Sequence, residues 1–193
     1  YRLDRAEVVV SLGYDFLSTA VGSVGMARDW KKTRSLDSKK AASAQMARLY
    51  SFESEFSVTG ANADERYPIR PGDELKIVLA IAHELLNGAV PESLRGYKPE
   101  AVAAEVGLDG GASVITKIAR ELSRAKGKSL VVAGGVSTQA GQARELQIAV
   151  NWVNSILEND GATIDGTVHT RTRFAGNVES VSGWRAPNAS ATT

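Results

Sequence analysis

The sequence of 193 residues contains no cysteine and only two histidines, His83 and His169. Without cysteine there are no disulfides, no cysteine nucleophiles and no cysteine-ligated iron-sulfur clusters within these residues. Neither histidine has a cysteine or a close pair of carboxylates beside it, so no recognisable metal-binding motif is present. Ser137 does not stand in the setting of a nucleophile elbow. We therefore expect no catalytic residue and no metal ligand in this stretch of protein.

An excess of charge of one sign and long apolar runs are also missing. Lys and Arg number 23 and Asp and Glu number 22, which gives a formal net charge of +1. This balance provides no overall field that attracts a nucleic acid or an anionic membrane surface. No apolar run approaches the ~20 residues that a membrane-spanning helix needs. We expect no nucleic-acid partner and no direct membrane insertion.

The composition favours one folded domain followed by a polar tail. Hydrophobic residues make up 43% of the chain and charged residues 23%, which is enough for one substantial core. After residue 165 the sequence is rich in Ser, Thr, Asn and Gly and has few aliphatic residues, so it can bury little surface. We predict a Rossmann-like domain over 1–165 and an extended tail or incomplete element over 166–193. The start lacks Met and a signal-like segment, which favours a piece of a longer chain.

Apolar runs of strand length alternate with runs of helical period along the chain. We predict strands, with the loops that follow them, in 6–16, in 48–54 and at the start of 129–146, and one more short strand at 161–165. Helices are predicted over 21–34, over 73–87, after Pro99, over 113–126, and from Ser137 or Thr138 to Leu157. This order predicts an α/β fold of Rossmann-like type, with three αβα layers and a mostly parallel sheet.

In such sheets ligands lie beyond the carboxyl ends of the strands, where helix N-termini present unpaired N–H groups to anions. The ends of three predicted strands and the start of the helix over 73–87 meet at that edge. A nucleotide is the ligand that this arrangement favours. The candidate binding residues are Gly13, Asp15, Glu53, Ser54, Gly72, Asp73, Glu74, Gly135, Thr138 and Gln139.

Each of these segments also has a purely structural interpretation. Pro71 and Gly72 can end the incoming loop, and acids in the first turn of a helix stabilise it by ~0.3 to 1 kcal/mol. Gly134 and Gly135 can form a tight strand-to-helix turn, because the sequence lacks the spaced glycines of a dinucleotide fingerprint and the lysine of a P-loop. Both interpretations remain open at the level of the sequence.

Three longer segments, in their order along the chain, carry a family resemblance. They are "ADERYPIRPGDELKIVLAIAHELL" (63–86), "YKPEAVAAEVGLDGGASVITKIARELSRAK" (97–126) and "SLVVAGGVSTQAGQ" (129–142). Together they resemble the third domain of the molybdopterin oxidoreductases of the dimethyl sulfoxide reductase family, over roughly residues 6–161. That resemblance implies a domain that contributes to binding a bis(molybdopterin guanine dinucleotide) cofactor.

Two further segments, "YRLDRAEVVVSLGYDFL" (1–17) and "ARLYSFESEFSVTGANADERYPIR" (47–70), look like one branch of that family. They are similar to the molybdopterin-oxidoreductase-like half of the large iron-sulfur subunit of bacterial alternative complex III, a quinol to cytochrome c type electron-transfer assembly. This likeness implies a half without molybdenum cofactor, and iron-sulfur clusters elsewhere in the parent chain. It also implies docking to the rest of that subunit and to other subunits, at the periplasmic face of a bacterial inner membrane.

Acidic residues mark where the sequence departs from the family pattern. Where the family has Thr-Asp after Pro-Gly, this chain has Asp73 and Glu74, so the carboxylate that recognises guanine is matched only by a longer side chain. Further acids follow the first strand, at Asp15, and the second, at Glu53, Glu55 and Asp64. Like charges at an anion site cost on the order of 1 kcal/mol each at partly solvated separations. This favours a relic site in a scaffold domain.

Two alternatives to the scaffold remain. In a working molybdoenzyme, one guanine dinucleotide would be held by Gly13, Glu53, Ser54, Gly72, Glu74, Thr138 and Gln139. A free-standing nucleotide-binding regulator fits the fold but not the missing start.

Overall fold

A single parallel sheet forms the centre of the molecule in the computed structural model, which describes residues 1–35, 46–135 and 141–166. Its strands are β1 (Val8–Leu12), β2 (Arg48–Glu53), β3 (Glu65–Pro68) and β4 (Ser129–Ala133). They lie in the order β3-β2-β1-β4, and each neighbouring pair is parallel. The predicted α/β fold with a parallel sheet is confirmed.

The described residues form six α-helices that connect and cover the strands. They are α1 (Ser23–Arg34), α2 (Val58–Ala61), α3 (Glu74–Leu85), α4 (Pro99–Val106), α5 (Ala112–Arg124) and α6 (Ala143–Ile156). Short 3-10 helices span Leu3–Arg5 and Glu92–Leu94. Of the helices in these ranges, none has the length and apolar character that crossing a membrane requires.

Alternate residues of β1 point to opposite faces of the sheet, and each face has its own apolar cluster. Val8, Val10 and Leu12 pack with residues of α3, α4, α5 and α6 on one face. Val9 belongs to the cluster on the other face, together with Trp30 of α1. Helices therefore cover both faces, which gives the three layers and explains why β1 and β4 are buried along their whole length.

The path of the chain through the sheet reverses at β1. From β1 it moves to β2 and β3 on one side through α1 and α2, and it then returns through α3, α4 and α5 to β4 on the other side. Where connections leave neighbouring strands in opposite directions, a crevice opens at the carboxyl edge of the sheet. The topology therefore places a cleft beside the carboxyl end of β1.

The predicted helices and three of the predicted strands are present. The helix ends differ from the prediction by at most two residues, except that α6 begins at Ala143 and its predicted start at Ser137 or Thr138 lies outside the described residues. The expected strand at 161–165 is wrong, because this segment is a tight loop with one isolated bridge between Asp160 and Ile164, closed by a 2.8 Å hydrogen bond from the Gly161 N–H to the Ile164 carbonyl. The sequence pattern does not reveal β3, whose four residues include two charged ones and a proline. Proline is tolerated there because β3 is an edge strand. Residues 167–193 lie outside the described ranges, so the tail remains a prediction.

A side chain, not a strand, pairs with the outer edge of β4. Asn154 of α6 is 1% exposed, and its Nδ2 donates to the Val131 carbonyl at 2.7 Å while its Oδ1 accepts the Val131 N–H at 3.0 Å. Asn159 Nδ2 donates to the same Oδ1 at 2.9 Å. A buried polar group without a partner costs ~1–3 kcal/mol. The Asn154 amide therefore takes the place that a further strand would occupy at Val131.

Candidate functional site

A cleft of about 310 Å³ lies at the carboxyl edge of the sheet, beside the ends of β1 and β2. Its walls come from the loop after β1, the segment from the end of β2 to the start of α2, the first residue of α3 and the turn after β4. The lining residues are Gly13, Asp15, Ser18, Thr19, Glu53, Ser54, Glu55, Phe56, Ser57, Val58, Glu74 and Gly135. Sheets of this type bind ligands at this edge, which makes the cleft the candidate site.

The structure brings six of the ten candidate residues together at this cleft. Those six are Gly13, Asp15, Glu53, Ser54, Glu74 and Gly135. Gly72 and Asp73 lie in the turn immediately before α3 and do not line the cleft. Thr138 and Gln139 fall outside the described residues. A ligand-binding role for all ten candidate residues remains a prediction.

Glu53, the last residue of β2, is 4% exposed, and its carboxylate is engaged within the chain. Arg66 of β3 donates from Nε to Oε1 at 2.5 Å, while the hydroxyls of Ser57 and Ser51 donate to Oε2 at 2.6 and 3.3 Å. Ser57 Oγ accepts the Gly60 N–H at 2.9 Å and so caps α2. A Cβ at Gly60 would lie 1.8 Å from Glu53 Oε1. This carboxylate therefore joins β2, β3 and α2.

Asp15 fastens the loop after β1 to α2. Its Oδ1 accepts the Thr59 N–H at 3.0 Å and the Thr59 hydroxyl at 2.7 Å, and its Oδ2 accepts the Thr19 N–H at 3.3 Å. Thr59 Oγ1 also accepts the N–H of Leu17 at 3.0 Å. Asp15 is 9% exposed. Its carboxylate is thus positioned by donors of the chain itself.

The turn before α3 is held by two local contacts. Gly72 has φ +96°, a left-handed conformation that favours glycine, and its N–H donates to Glu74 Oε2 at 2.7 Å. Asp73 Oδ1 accepts from Lys76 Nζ at 2.9 Å, and Lys76 also pairs with Glu105 at 3.0 Å. The hydrogen bond to Asp73, followed by the one to Glu105, raises the pKa of Lys76 above its ordinary value. These contacts support the structural interpretation of this helix start.

The turn after β4 packs directly on the loop after β1. A Cβ at Gly134 would lie 2.2 Å from the Tyr14 ring, and one at Gly135, which has φ +68°, would lie 2.4 Å from the carbonyl oxygen of Gly13. Burial raises the pKa of Tyr14, whose ring occupies this space, and the nearby Tyr1 adds to the increase. Close packing therefore accounts for both glycines without a bound phosphate.

Sequence reasoning missed the segment that contains α2. Ser57 and Thr59 supply the hydroxyls that hold the two buried carboxylates, and Phe56 is 74% exposed at the cleft with the Arg66 guanidinium 4.8 Å from its ring centre. The one sequence signal for this helix was Ser57, because serine is a residue type that commonly caps helix N-termini. The helix itself has four residues, which is too short to show a helical period.

Asp64 lies away from the cleft, which corrects its grouping with the acids after β2. It precedes β3 at the opposite edge of the sheet, where its Oδ2 accepts the Leu49 N–H at 2.8 Å and pairs with Arg34 at 2.7 Å. Glu53 and Asp73 also pair with cations of this chain. The negative charge at the cleft is therefore smaller than the sequence predicts.

Two curated proteins share recognisable sequence with this chain. The molybdopterin-binding-like subunit of menaquinone reductase from Nitratidesulfovibrio vulgaris is 32% identical over 114 residues, which cover 53% of this chain and 16% of that protein. The molybdopterin-containing subunit of thiosulfate reductase from Salmonella typhimurium is 25% identical over 129 residues, which cover 58% of this chain and 17% of that protein. The sequence of the chain resembles the molybdopterin oxidoreductase family. It spans about one sixth of the length of these two relatives.

Other comparisons bear on the fold of this domain. No family model matches the chain. Acetylene hydratase from Pelobacter acetylenicus superposes with a TM-score of 0.57 and 17% sequence identity, covering 83% of this chain and 22% of that one. At this identity the likeness concerns the fold alone, and it agrees with the Rossmann-like arrangement.

The resemblance to this family implies a molybdopterin guanine dinucleotide, and the described cleft residues fit its diphosphate poorly. A diphosphate is bound by cationic side chains and N–H donors. Of the lining residues in the described ranges, four are Asp or Glu and none is Lys, Arg or His. The volume of about 310 Å³ is at the lower end of the ~300–1,000 Å³ typical of ligand pockets. In the same ranges no group of three or more His, Cys, Asp or Glu is placed to hold a metal ion.

Proposed function

We propose that this chain is one domain of a larger molybdopterin-oxidoreductase-like electron-transfer subunit, in which it is a scaffold and a docking domain without a cofactor of its own. The observation that carries the proposal is the state of the cleft carboxylates. Arg66, Ser57 and Ser51 satisfy Glu53, and Thr59 and Thr19 satisfy Asp15. No lining residue in the described part of the chain is a cation that could receive a diphosphate.

The energy of placing a diphosphate in this cleft follows from these contacts. The anion would lie beside Glu55 and Glu74, and each like-charge contact costs on the order of 1 kcal/mol at partly solvated separations. Moving Arg66 from Glu53 to the ligand would leave a buried carboxylate without its cation, at a cost of about 2–3 kcal/mol given that Arg66 is partly exposed. Nucleotide binding would have to offset both costs, which favours a cleft that holds no diphosphate.

The parent that we propose is the large iron-sulfur subunit of a bacterial alternative complex III. The likeness of 1–17 and 47–70 to that subunit supports it, and so does the "molybdopterin-binding-like" description of the menaquinone reductase relative. In this parent the iron-sulfur clusters lie elsewhere in the polypeptide. The partners of the domain are the rest of that subunit and other subunits of the complex. The assembly would lie at the periplasmic face of the inner membrane.

A second candidate is the guanine-dinucleotide-binding domain of an active molybdoenzyme. The position of the cleft favours it, since the cleft lies at the carboxyl edge where the chain reverses direction. Glu74 lines the cleft and carries the type of side chain that accepts hydrogen bonds from guanine. One of its oxygens already accepts from Gly72, and the chain would have to supply the missing cations from outside the described residues.

Cofactor analysis of the intact parent tests the proposal. The parent protein is purified from cells grown with molybdate, and molybdenum, guanine nucleotide released by acid, and iron are measured per polypeptide. The scaffold predicts iron without molybdenum and without guanine. Stoichiometric molybdenum together with about two guanines per polypeptide, as a bis(molybdopterin guanine dinucleotide) requires, would instead establish the second candidate.

A further inference from the structure

An apolar groove of about 390 Å³ lies between α3 and α6. Leu75 and Leu79 of α3 form one wall, and Ile148 and Trp152 of α6 form the other. Leu94 and Tyr97, from the segment between α3 and α4, also line the groove. Residues four apart on a helix lie on the same side. Each wall is therefore a row of apolar side chains along a helix.

The outer row of α6 is not used by the core of the domain. Leu146, Val150 and Val153 of the same helix are buried in the core. Ile148 and Trp152 are 57% and 37% exposed. A helix on the surface of a domain has one apolar face, and α6 has two. The second face indicates a further packing partner, and tryptophan is a residue type enriched where partners bind most tightly.

We infer that a helix from another part of the same polypeptide packs into this groove. The chain covers 16% and 17% of the two curated relatives, so in a parent of that length most of the sequence lies outside this domain. Domains of one polypeptide bury surface against each other. The occupant is therefore a segment that lies permanently beside the groove. Because it belongs to the same polypeptide, its packing does not have to offset the entropy lost when two separate molecules associate.

The shape and charge of the groove define the occupant. Two apolar rows on neighbouring helices accept the apolar face of a third helix, with side chains at positions i, i+4 and i+7 between them. Glu145 is the one charged residue among the described lining residues. A Lys or Arg on the occupying helix, one turn from its apolar face, would pair with it. The inference rests on the proposed function, in which the chain is part of a larger subunit, and names the surface that docks.

Photo-cross-linking in the full parent protein tests this inference. A photoreactive amino acid replaces Ile148 in one preparation and Val24, which is 85% exposed on α1, in the control. The cross-linked peptides are identified by mass spectrometry in protein mixed from light and heavy isotope cultures. We expect Ile148, and not Val24, to link to a helical segment of the same polypeptide outside residues 1–193, with no light-heavy pairs.

The other results overturn the inference. They are links from Ile148 to residues 167–193, light-heavy pairs from a second copy, links to a different subunit, and no link above that of Val24. A parent that lacks the cofactor but shows one of these results contradicts the groove assignment alone. A parent that proves no longer than this chain, or that carries molybdenum, contradicts the proposed function separately.

Discussion

Arg66 and Glu53 form an ion pair at the edge of the sheet, with Arg66 Nε 2.5 Å from Glu53 Oε1 and the Glu53 side chain only 5% exposed. The pair joins β3 to the end of β2, where Glu53 lines the cleft. The same guanidinium lies 4.8 Å from the ring centre of Phe56. The Arg66 guanidinium therefore contacts groups of the protein itself. It stabilises the fold and is not available to a ligand.

Replacing Arg66 by Met should destabilise the protein. The substitution leaves the buried Glu53 with hydrogen bonds only from the Ser57 and Ser51 hydroxyls and the Ser57 N–H. Removing one member of a buried pair costs up to ~3–5 kcal/mol, reduced here to about 2–3 kcal/mol because Arg66 is partly exposed. Urea unfolding at neutral pH measures the loss. The double variant E53Q/R66M should recover part of it, since no buried charge remains. Equal stability of the wild-type and R66M proteins would contradict the role of the pair.

Replacing Gly60 by Ala should destabilise α2 and displace Glu53. The new Cβ would lie 1.8 Å from Glu53 Oε1, and overpacking of this kind costs ~1–3 kcal/mol. Gly25 of α1 is the matched control, because no atom lies within 4 Å of a Cβ placed there. The G25A variant should gain up to about 1 kcal/mol. Thermal unfolding of both variants measures the difference, and similar effects at the two sites would show that the contact at Gly60 is unimportant.

Replacing Asn154 by Leu should destabilise the protein, because the Asn154 amide is the hydrogen-bond partner of Val131 at the outer edge of β4. The change leaves the N–H and the carbonyl of Val131 without partners, and each such buried group costs ~1–3 kcal/mol. We expect a loss of at least about 2 kcal/mol in the free energy of unfolding. The exposed Asn151 on the same helix is the control, and N151A should change stability by less than ~0.5 kcal/mol. A tolerated N154L would mean that water or another group satisfies Val131.

Glu65 makes the stability of the protein depend on pH in the acid range. Burial acts to raise the pKa of Glu65, but hydrogen bonds from Lys117 and Tyr67 outweigh it and hold the pKa below the ordinary value of 4.5. A lowered folded pKa means that the stabilisation is present above about pH 4.5 and is lost as the pH falls through the folded pKa. The E65Q variant should be less stable than wild type at neutral pH.

The difference between the two proteins should shrink as the pH falls below about 4.5 and through the lowered pKa of Glu65, where the wild-type carboxyl becomes protonated. A series of urea unfolding curves from neutral to acid pH measures it. Glu92, whose side chain is 89% exposed, provides the control, and E92Q should follow wild type throughout. A difference between E65Q and wild type that is independent of pH would contradict the assignment to this carboxylate.

Much of the fold is predictable because its signals are local and repeated. β1 and β4 are continuous apolar runs, and the helical period over 73–87 ends within two residues of α3 (Glu74–Leu85). β3 and α2 have four residues each, too few for any period to show. The error at 161–165 has the same origin, since a short run with two apolar residues fits a strand and a loop equally well.

The cleft is predictable in position and not in its contacts. The carboxyl ends of parallel strands meet at one edge of the sheet, so Gly13, Glu53 and Gly135 lie there irrespective of their side-chain contacts. The partners of the acids come from distant parts of the chain, as with Asp15 and Thr59, which are 44 residues apart. From the sequence alone, each carboxylate is treated as a charge without a partner. The structure pairs or hydrogen-bonds several of them, and so it replaces a site crowded with repelling charges by one whose polar groups are already in use.

Calorimetry with a guanine nucleotide tests the central claim most directly. GDP is titrated to millimolar concentration into the protein, and a cooperative thermal transition of the same sample shows that it is folded. A cleft with engaged carboxylates, and with no cation among its lining residues in the described part of the chain, predicts no heat beyond dilution and no shift of that transition. Saturable binding with one GDP per chain, weakened when Glu74 is replaced by Gln, would contradict it.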